Sequence, residues 1–178
     1  MFFSFETATL GKKVSMFVIR NGTVVSSSTI DDTIGAVYDV KFVKTASGSE
    51  LLFVSNYEHT ASGSVFVYSG VGFKSRKTIA SFQNLQKAMG SGAPGWLFPH
   101  YPTVSSTATA PNVLVCGDGA ENLTNLQYQQ GLNWTVAFQK GYKSTIGDAV
   151  VGDFDGNGYT DVIVSDYDAG FLHLFTYQ

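Results

Sequence analysis

The feature that most constrains the fold of this chain is an internal repeat. Segment 52–58 (LFVSNYE) aligns without gaps with segment 162–168 (VIVSDYD), an offset of 110 residues, as from Val54 to Val164. A weaker third copy, segment 113–118 (VLVCGD), lies about midway between the other two. Similar units at a regular spacing predict a repeat architecture, in which neighbouring units bury each other's apolar faces.

Each unit consists of short segments with strand character. Runs rich in Val, Ile, Phe, Tyr and Thr alternate with polar residues and are separated by clusters of Gly, Ser, Asn and Asp, a pattern typical of half-buried strands. Residues 81–89 are apolar in part, but they run into several glycines and are interpreted as a loop or single turn. The chain is therefore predicted to be all-β. Examples of predicted strands are 14–19, 23–30, 36–43, 51–55, 64–68, 113–116, 134–138, 149–154, 162–165 and 172–177.

The length of the repeat predicts β-propeller blades. Four antiparallel strands in roughly 45 residues match one blade, so residues 1–178 are interpreted as a single domain of about 3.5 to 4 blades. Complete blades are predicted at 33–82 and 90–140, and partial blades at 1–30 and 143–178.

The incomplete blades at the two ends would expose unpaired backbone groups. Three interpretations stay open. The N-terminal strands could complete the C-terminal blade and close a ring, the chain could be a portion of a larger ring in a longer protein, or two copies could form a homo-oligomer that completes the ring.

The clearest chemical motif is the acidic loop, residues 153–161 (DFDGNGYTD), which places oxygen-bearing side chains at alternate positions. Calcium prefers six to eight oxygen ligands, and a tightly curled loop brings neighbouring side chains to one point. The glycines within the loop permit that curl. The predicted Ca²⁺ ligands are the side chains of Asp153, Asp155, Asn157 and Asp161 and the carbonyl of Tyr159.

A hairpin turn without a metal is the alternative interpretation, because Asp-Gly-Asn-Gly favours turns by itself. Calcium is preferred because three carboxylates within nine residues would repel one another without a cation. At the 110-residue offset the four side-chain ligands become Val43, Thr45, Ser47 and Leu51. That copy is predicted to keep the hairpin without metal ligands. The predicted role of the metal is therefore to stabilise the turn formed by the acidic loop.

The acidic loop resembles the beginning of an EF-hand, but the glutamate at the twelfth position is missing and strands flank it. It is more similar to the FG-GAP or VCBS repeat of integrin α-subunit propellers, in which such a loop joins the first two strands of a blade. Segments 30–35 (IDDTIG), 54–58 (VSNYE), 92–95 (GAPG) and 114–119 (LVCGDG) also resemble FG-GAP proteins of fungi and other eukaryotes. The resemblance implies longer calcium-binding propellers and brings no reaction with it.

Composition argues against several classes of partner. Charged residues make up 14% of the chain and the net charge is -3, so no basic surface for nucleic acid or an anionic membrane is expected. No apolar run approaches the roughly 18 residues of a membrane span, and a soluble protein is expected. Sequons at Asn21, Asn122 and Asn133 favour an extracellular location, but the N-terminus shows no signal peptide and the compartment stays open.

Other side chains are weaker candidates for a functional site. His59, His100 and His173 are scattered without metal-ligand spacing, and Asp118 fits a turn as well as a catalytic role. The aromatic cluster at 96–101 either lines a ligand pocket or packs between blades. Cys116 is expected to be a buried, inert thiol.

Three functions follow as hypotheses. The first is a non-catalytic propeller module that presents loops to a protein or glycan partner, with calcium stabilising one blade. The second is carbohydrate binding, which draws on a resemblance to propeller lectins. The third, implied by similar propellers in polysaccharide lyases, is an enzyme; no catalytic motif supports it, and catalysis is not expected.

Overall fold

A computed structural model describes residues 2–5, 13–57, 63–82, 94–117, 122–141, 146–166 and 169–177. Within these residues the regular structure is β, apart from a 3₁₀ turn at Val71–Phe73, and the all-β prediction is confirmed. The strands are β1 (Phe2–Phe5), β2 (Val14–Arg20), β3 (Thr23–Asp31), β4 (Ala36–Lys44), β5 (Glu50–Tyr57), β6 (Ser64–Ser69), β7 (Ser75–Ser81), β8 (Pro94–His100), β9 (Asn112–Gly117), β10 (Asn122–Tyr128), β11 (Trp134–Gly141), β12 (Ile146–Gly152), β13 (Asp161–Asp166) and β14 (Phe171–Phe175).

The strands form four antiparallel sheets in which neighbours in sequence are neighbours in space. Sheet I contains β1 to β3, sheet II β4 to β7, sheet III β8 to β11 and sheet IV β12 to β14. The predicted blade-like unit of four antiparallel strands is confirmed in sheets II and III. Sheets I and IV have three strands each in the described part of the chain.

Apolar side chains fill the space between successive sheets. One cluster lies between sheets I and II, a second between II and III, and a third between III and IV. In β5, Phe53 faces Trp134 of sheet III with ring centroids 5.7 Å apart, whereas Val54 belongs to the cluster with sheet I. Strand β5 is buried on both faces, which explains its unbroken apolar run.

Strands β1, β7, β8 and β10 have no counterpart among the segments named as predicted strands. In β8 the reason is that it contains Pro94 and Pro99. Proline cannot donate a backbone hydrogen bond and is tolerated mainly in edge strands, and β8 is an edge strand of sheet III. Trp96 contacts Tyr38 edge-on at 5.0 Å, and Phe98 packs against the cluster between sheets III and IV. Packing between sheets therefore accounts for these two aromatic side chains.

Two strands of sheet IV end earlier than the sequence predicts. Strands β12 and β14 end at Gly152 and Phe175, earlier than predicted, because the acidic loop begins at Asp153 and the chain after β14 turns to close that loop. The predicted turn at 81–89 lies mostly outside the described residues. Among the residues described, no helix has the length and apolar character needed to cross a membrane.

Candidate functional site

The acidic loop joins β12 to β13 in sheet IV. Gly156 and Gly158 have φ of 76° and 86°, and a Cβ on either would meet no atom within 4 Å. The left-handed backbone, and not lack of space, therefore requires glycine at both positions. The loop curls as the sequence predicts.

This curl brings three carboxylates together. One oxygen each from Asp153, Asp155 and Asp161 lie within 4.8 Å of one another. Two oxygens bound to the same calcium at about 2.4 Å can be at most about 4.8 Å apart, so these three can share one ion. Asp161 is fully buried, Asp153 is partly buried and Asp155 is exposed. The cluster thus forms a cup with its closed end at Asp161.

Backbone amides hold two of these carboxylates in place. Asp153 accepts hydrogen bonds from the N–H groups of Gly156 (2.8 Å) and Gly158 (2.9 Å). Asp161 accepts from the N–H groups of Phe154 (2.9 Å) and Tyr177 (3.2 Å). Carboxylate oxygens have further lone pairs beyond these bonds, so the amides orient the oxygens and leave capacity for an ion.

Asn157 and Tyr159 lie in the same loop. Asn157 Oδ1 accepts from the N–H of Tyr159 at 2.8 Å, and its Nδ2 donates to the carbonyl of Tyr177 at 2.8 Å. Asp155 contacts Asn157 as well, accepting from its backbone N–H at 3.1 Å. Coordination by the Asn157 side chain and the Tyr159 carbonyl stays a prediction.

Sheet III anchors the loop from outside. The N–H of Val104 donates to the carbonyl of Gly158, and the N–H of Thr160 donates to the carbonyl of Pro102, both at 3.1 Å. Thr103 and Tyr159 thereby form an antiparallel bridge. Sequence analysis missed this contact, because the connection between β8 and β9 carries no pattern that indicates its partner. The loop is consequently fixed to two sheets.

The corresponding loop of sheet II corrects the gapless repeat alignment. Val43 pairs with Leu51 in sheet II, and Gly152 pairs with Asp161 in sheet IV. Leu51 and Asp161 are equivalent, as predicted, but the loop of sheet IV is one residue longer. The 110-residue offset is therefore wrong by one residue in the first strand, and the structural equivalent of Asp153 is Lys44, not Val43.

Hydroxyl and backbone groups close the loop of sheet II without carboxylates. Thr45 Oγ1 and Ser47 Oγ are 2.9 Å apart, and the N–H of Thr45 donates to the carbonyl of Ser49 at 2.9 Å. The hairpin is kept although the acidic side chains are missing, as the sequence predicted.

Comparison with known proteins adds no assignment. Neither protein-family models, nor curated proteins, nor solved structures gave a significant match to this chain.

A cleft of about 330 Å³ lies beside the acidic loop, between sheets III and IV. Most of its described lining residues carry an amide, hydroxyl or imidazole group, and none carries a carboxylate. Its polar lining residues include His100, Asn112, Asn125, Gln127, Tyr159 and Tyr177. The cleft can therefore offer many neutral hydrogen-bonding groups to a ligand.

Asn125 is the most informative residue of this cleft. Its side chain is 5% exposed, and Nδ2 donates to the hydroxyl of Tyr177 at 3.3 Å. Its Oδ1 is buried without a protein hydrogen-bond partner, an arrangement that costs about 1–3 kcal/mol when nothing else satisfies the group.

His100 also lines the cleft and is buried. Burial lowers the pKa of its imidazole, although the nearby carbonyl of Phe98 acts in the opposite direction. The neutral ring is the form present near neutral pH. Its Nδ1 lies 3.1 Å from that carbonyl and donates to it, which leaves Nε2 as an acceptor.

A larger cleft of about 640 Å³ opens between sheets II and III. It is lined mainly by small residues of three turns, and its Thr109 and Tyr128 hydroxyls bond each other at 2.8 Å. The buried side-chain atoms without partners in the described part of the chain are Asn125 Oδ1 and the Tyr101 hydroxyl. Neither residue lines this cleft, so the smaller cleft is the better ligand candidate.

The remaining sequence candidates are dispersed. Cys116 is fully buried, and burial, together with the charge of Asp148, raises the pKa of its thiol, which makes it a poor nucleophile. His173 Nε2 lies 3.3 Å from a carboxylate oxygen of Asp166 in sheet IV. His59 and Asp118 lie outside the described residues.

Proposed function

We propose that the protein is a calcium-binding, non-catalytic module of propeller type that binds a protein or glycan partner. The observation that carries the proposal is the cup formed by Asp153, Asp155 and Asp161, whose oxygens lie within 4.8 Å of one another. Because Pro102 and Val104, in the connection between β8 and β9, hydrogen-bond to the same loop, an ion bound here would stiffen the junction between sheets III and IV. This gives calcium a structural role.

The donor set favours calcium over other metals. The cluster consists of carboxylates, whereas zinc prefers histidine and cysteine ligands. Magnesium requires near-ideal octahedral geometry at about 2.0–2.1 Å, while calcium accepts irregular oxygen cages with longer bonds. The resemblance of the loop to the FG-GAP repeat supports the same ion, and membership of that family is part of the proposal.

Calorimetric titration tests the metal site. We expect Ca²⁺ to bind with one ion per chain and Asp155→Asn to weaken binding by about tenfold or more, since one anionic ligand is lost from the cup. Asp155 is exposed and contacts only loop atoms in its recorded hydrogen bonds, so the variant should fold. Asp32→Asn, which removes an exposed carboxylate elsewhere, is the matched control. Equal affinity in both variants would contradict the assignment.

The cleft beside the loop favours a glycan among the ligands considered. Sugars present many neutral hydroxyl donors and acceptors, and the residues that line the cleft include Asn125 and Gln127, with amide side chains, and His100, with a neutral imidazole. Tyr159 belongs to both the cleft and the acidic loop, so calcium would hold one wall in place. We therefore propose carbohydrate binding as the specific form of the function.

A glycan array in the presence and absence of Ca²⁺ tests this form. We expect selective binding that Gln127→Ala reduces by about tenfold, the effect of about 1.4 kcal/mol, because Gln127 lines the cleft and is exposed. Gln130→Ala is the control, since Gln130 is exposed on the turn after the same strand and does not line the cleft. Binding that is lost equally in both variants, or in neither, would place the ligand elsewhere.

A further inference from the structure

The junction between sheets II and III contains two polar side chains of sheet II that hydrogen-bond to the backbone of sheet III. Asp39 accepts a hydrogen bond from the N–H of Leu97 at 2.9 Å, and Ser55 donates to the carbonyl of Gly95 at 2.7 Å. Both partners are backbone groups of β8, an edge strand of sheet III. One side-chain pair thus satisfies a donor and an acceptor on the sheet that docks against it.

Sheet IV carries the same pair at the equivalent place. Ser165 aligns with Ser55, and Asp148 directly precedes Ala149, the partner of Val164, as Asp39 directly precedes Val40, the partner of Val54. In both pairs the serine Oγ accepts from the N–H of the aspartate, at 3.1 Å in sheet II and 2.8 Å in sheet IV. In both, the aspartate Oδ1 accepts from the next N–H at 2.8 Å.

In sheet IV this face is turned away from sheet III, and we define it as the open face. Ala149, Val162 and Val164 pack against sheet III, so the alternating residues of the same strands point the other way. The open face consists of Asp148, Val150, Ile163, Ser165, Leu172 and Leu174.

The apolar side chains of the open face are much more exposed than their equivalents in sheet II. Leu172 and Leu174 pair with Ser165 and Ile163, just as Val65 and Val67 pair with Ser55 and Phe53. In sheet II the two valines are 0% and 1% exposed, whereas in sheet IV the two leucines are 74% and 55% exposed. The positions that are buried by sheet III in the first case are uncovered in the second. An apolar strip of this kind marks an interaction surface.

We propose that the open face of sheet IV docks sheet I of a second copy of this chain. Sheet I can offer backbone groups to the Asp148 carboxylate, because β1 is an edge strand of its described sheet, like β8. The Ser165 hydroxyl donates within sheet IV, to the carbonyl of Asp148 at 3.1 Å. Sheet I also offers an apolar face. Val14 and Met16 face sheet II, so Phe17 and Ile19 face the other way, and Val24, opposite Ile19, is 53% exposed. The exposure of Leu172 shows that sheet I of the same chain does not cover it.

The contact is heterologous, since different faces of the two copies meet. Such contacts form a closed ring when the rotation between copies closes and a filament when it does not. Two copies joined through both pairs of faces would cover the open face of each chain and unite their sheets in one assembly.

Light scattering coupled to size-exclusion chromatography, over a range of protein concentrations with Ca²⁺, tests the proposal. We expect the wild-type chain to show the mass of two copies. Leu172→Asp should weaken the association by about tenfold or more, because a charge replaces an apolar contact. Val24→Asp on the partner face should have the same effect. Val71→Asp is the matched control, as Val71 is 98% exposed on the turn of sheet II.

Loss of association can be distinguished from loss of folding, because all three substituted side chains are exposed and circular dichroism can verify that each variant folds. A monomer at every concentration would overturn the proposal. A dimer that Leu172→Asp leaves intact would overturn the open face as the interface. A dimer broken by Leu172→Asp but not by Val24→Asp would overturn sheet I as the partner.

Discussion

Adding Ca²⁺ should raise the midpoint of thermal unfolding of this protein by roughly 5 to 10 °C, and Asp155→Asn should abolish the increase. A ligand at about 100 times its Kd stabilises the folded state by about 2.7 kcal/mol. For a chain of this length, each kcal/mol corresponds to about 2 to 4 °C. The physical reason is that the ion binds only where the curled loop holds the three carboxylates together.

Scanning calorimetry with Ca²⁺, with Mg²⁺ at equal ionic strength, and with chelator measures this effect. Asp32→Asn should retain the full calcium response, since Asp32 lies outside the acidic loop and is exposed. A rise of the same size in Asp155→Asn, or the same rise with Mg²⁺, would show that general screening of negative charge is responsible and that the loop holds no specific calcium.

Asp39→Ala should lower the free energy of unfolding by about 2–3 kcal/mol, since it leaves the buried N–H of Leu97 without an acceptor. Asp39 is 4% exposed, and it also accepts from the N–H of Val40 and pairs with Lys41 at 3.2 Å. Asp39→Asn should cost less, because the amide oxygen can still accept from Leu97. Urea unfolding of both variants gives the two values.

Asp148→Ala is the matched control for this change. Asp148 occupies the equivalent position and makes the equivalent bond to the next N–H, but it is exposed. At concentrations too low for self-association, its loss should cost no more than about 0.5 kcal/mol. Equal costs at the two positions would mean that the contact with Leu97 contributes nothing and that only the local bond of the aspartate matters.

Local sequence pattern explains most of the strands and the acidic loop. The alternation and apolar runs in β5 and β13 depend on which faces of a strand are buried, and that property is visible in a few consecutive residues. The curl of the acidic loop depends on Gly156 and Gly158, whose positive φ is a local property. For the same reason β8 was not predicted, because its two prolines interrupt the local sequence pattern of a strand.

The site could be predicted only in part. Asp153, Asp155 and Asp161 come together because they are close in sequence. The bridge between Thr103 and Tyr159 joins residues far apart in the chain, and the one-residue difference between the two equivalent loops appears only in the strand pairing. The cleft containing Asn125 belongs to two sheets, so no single segment of sequence could indicate it.

The sequence by itself determined the all-β repeat and the oxygen-rich loop, because both arise from the order of side chains within short segments. Tertiary structure alone decided which sheet faces are covered. Phe53 and Ile163 occupy equivalent positions in similar strands, yet Phe53 is fully buried and Ile163 is only partly buried. The physical reason is that burial depends on what packs against a face, and sheet III covers the first while no described sheet of this chain covers the second.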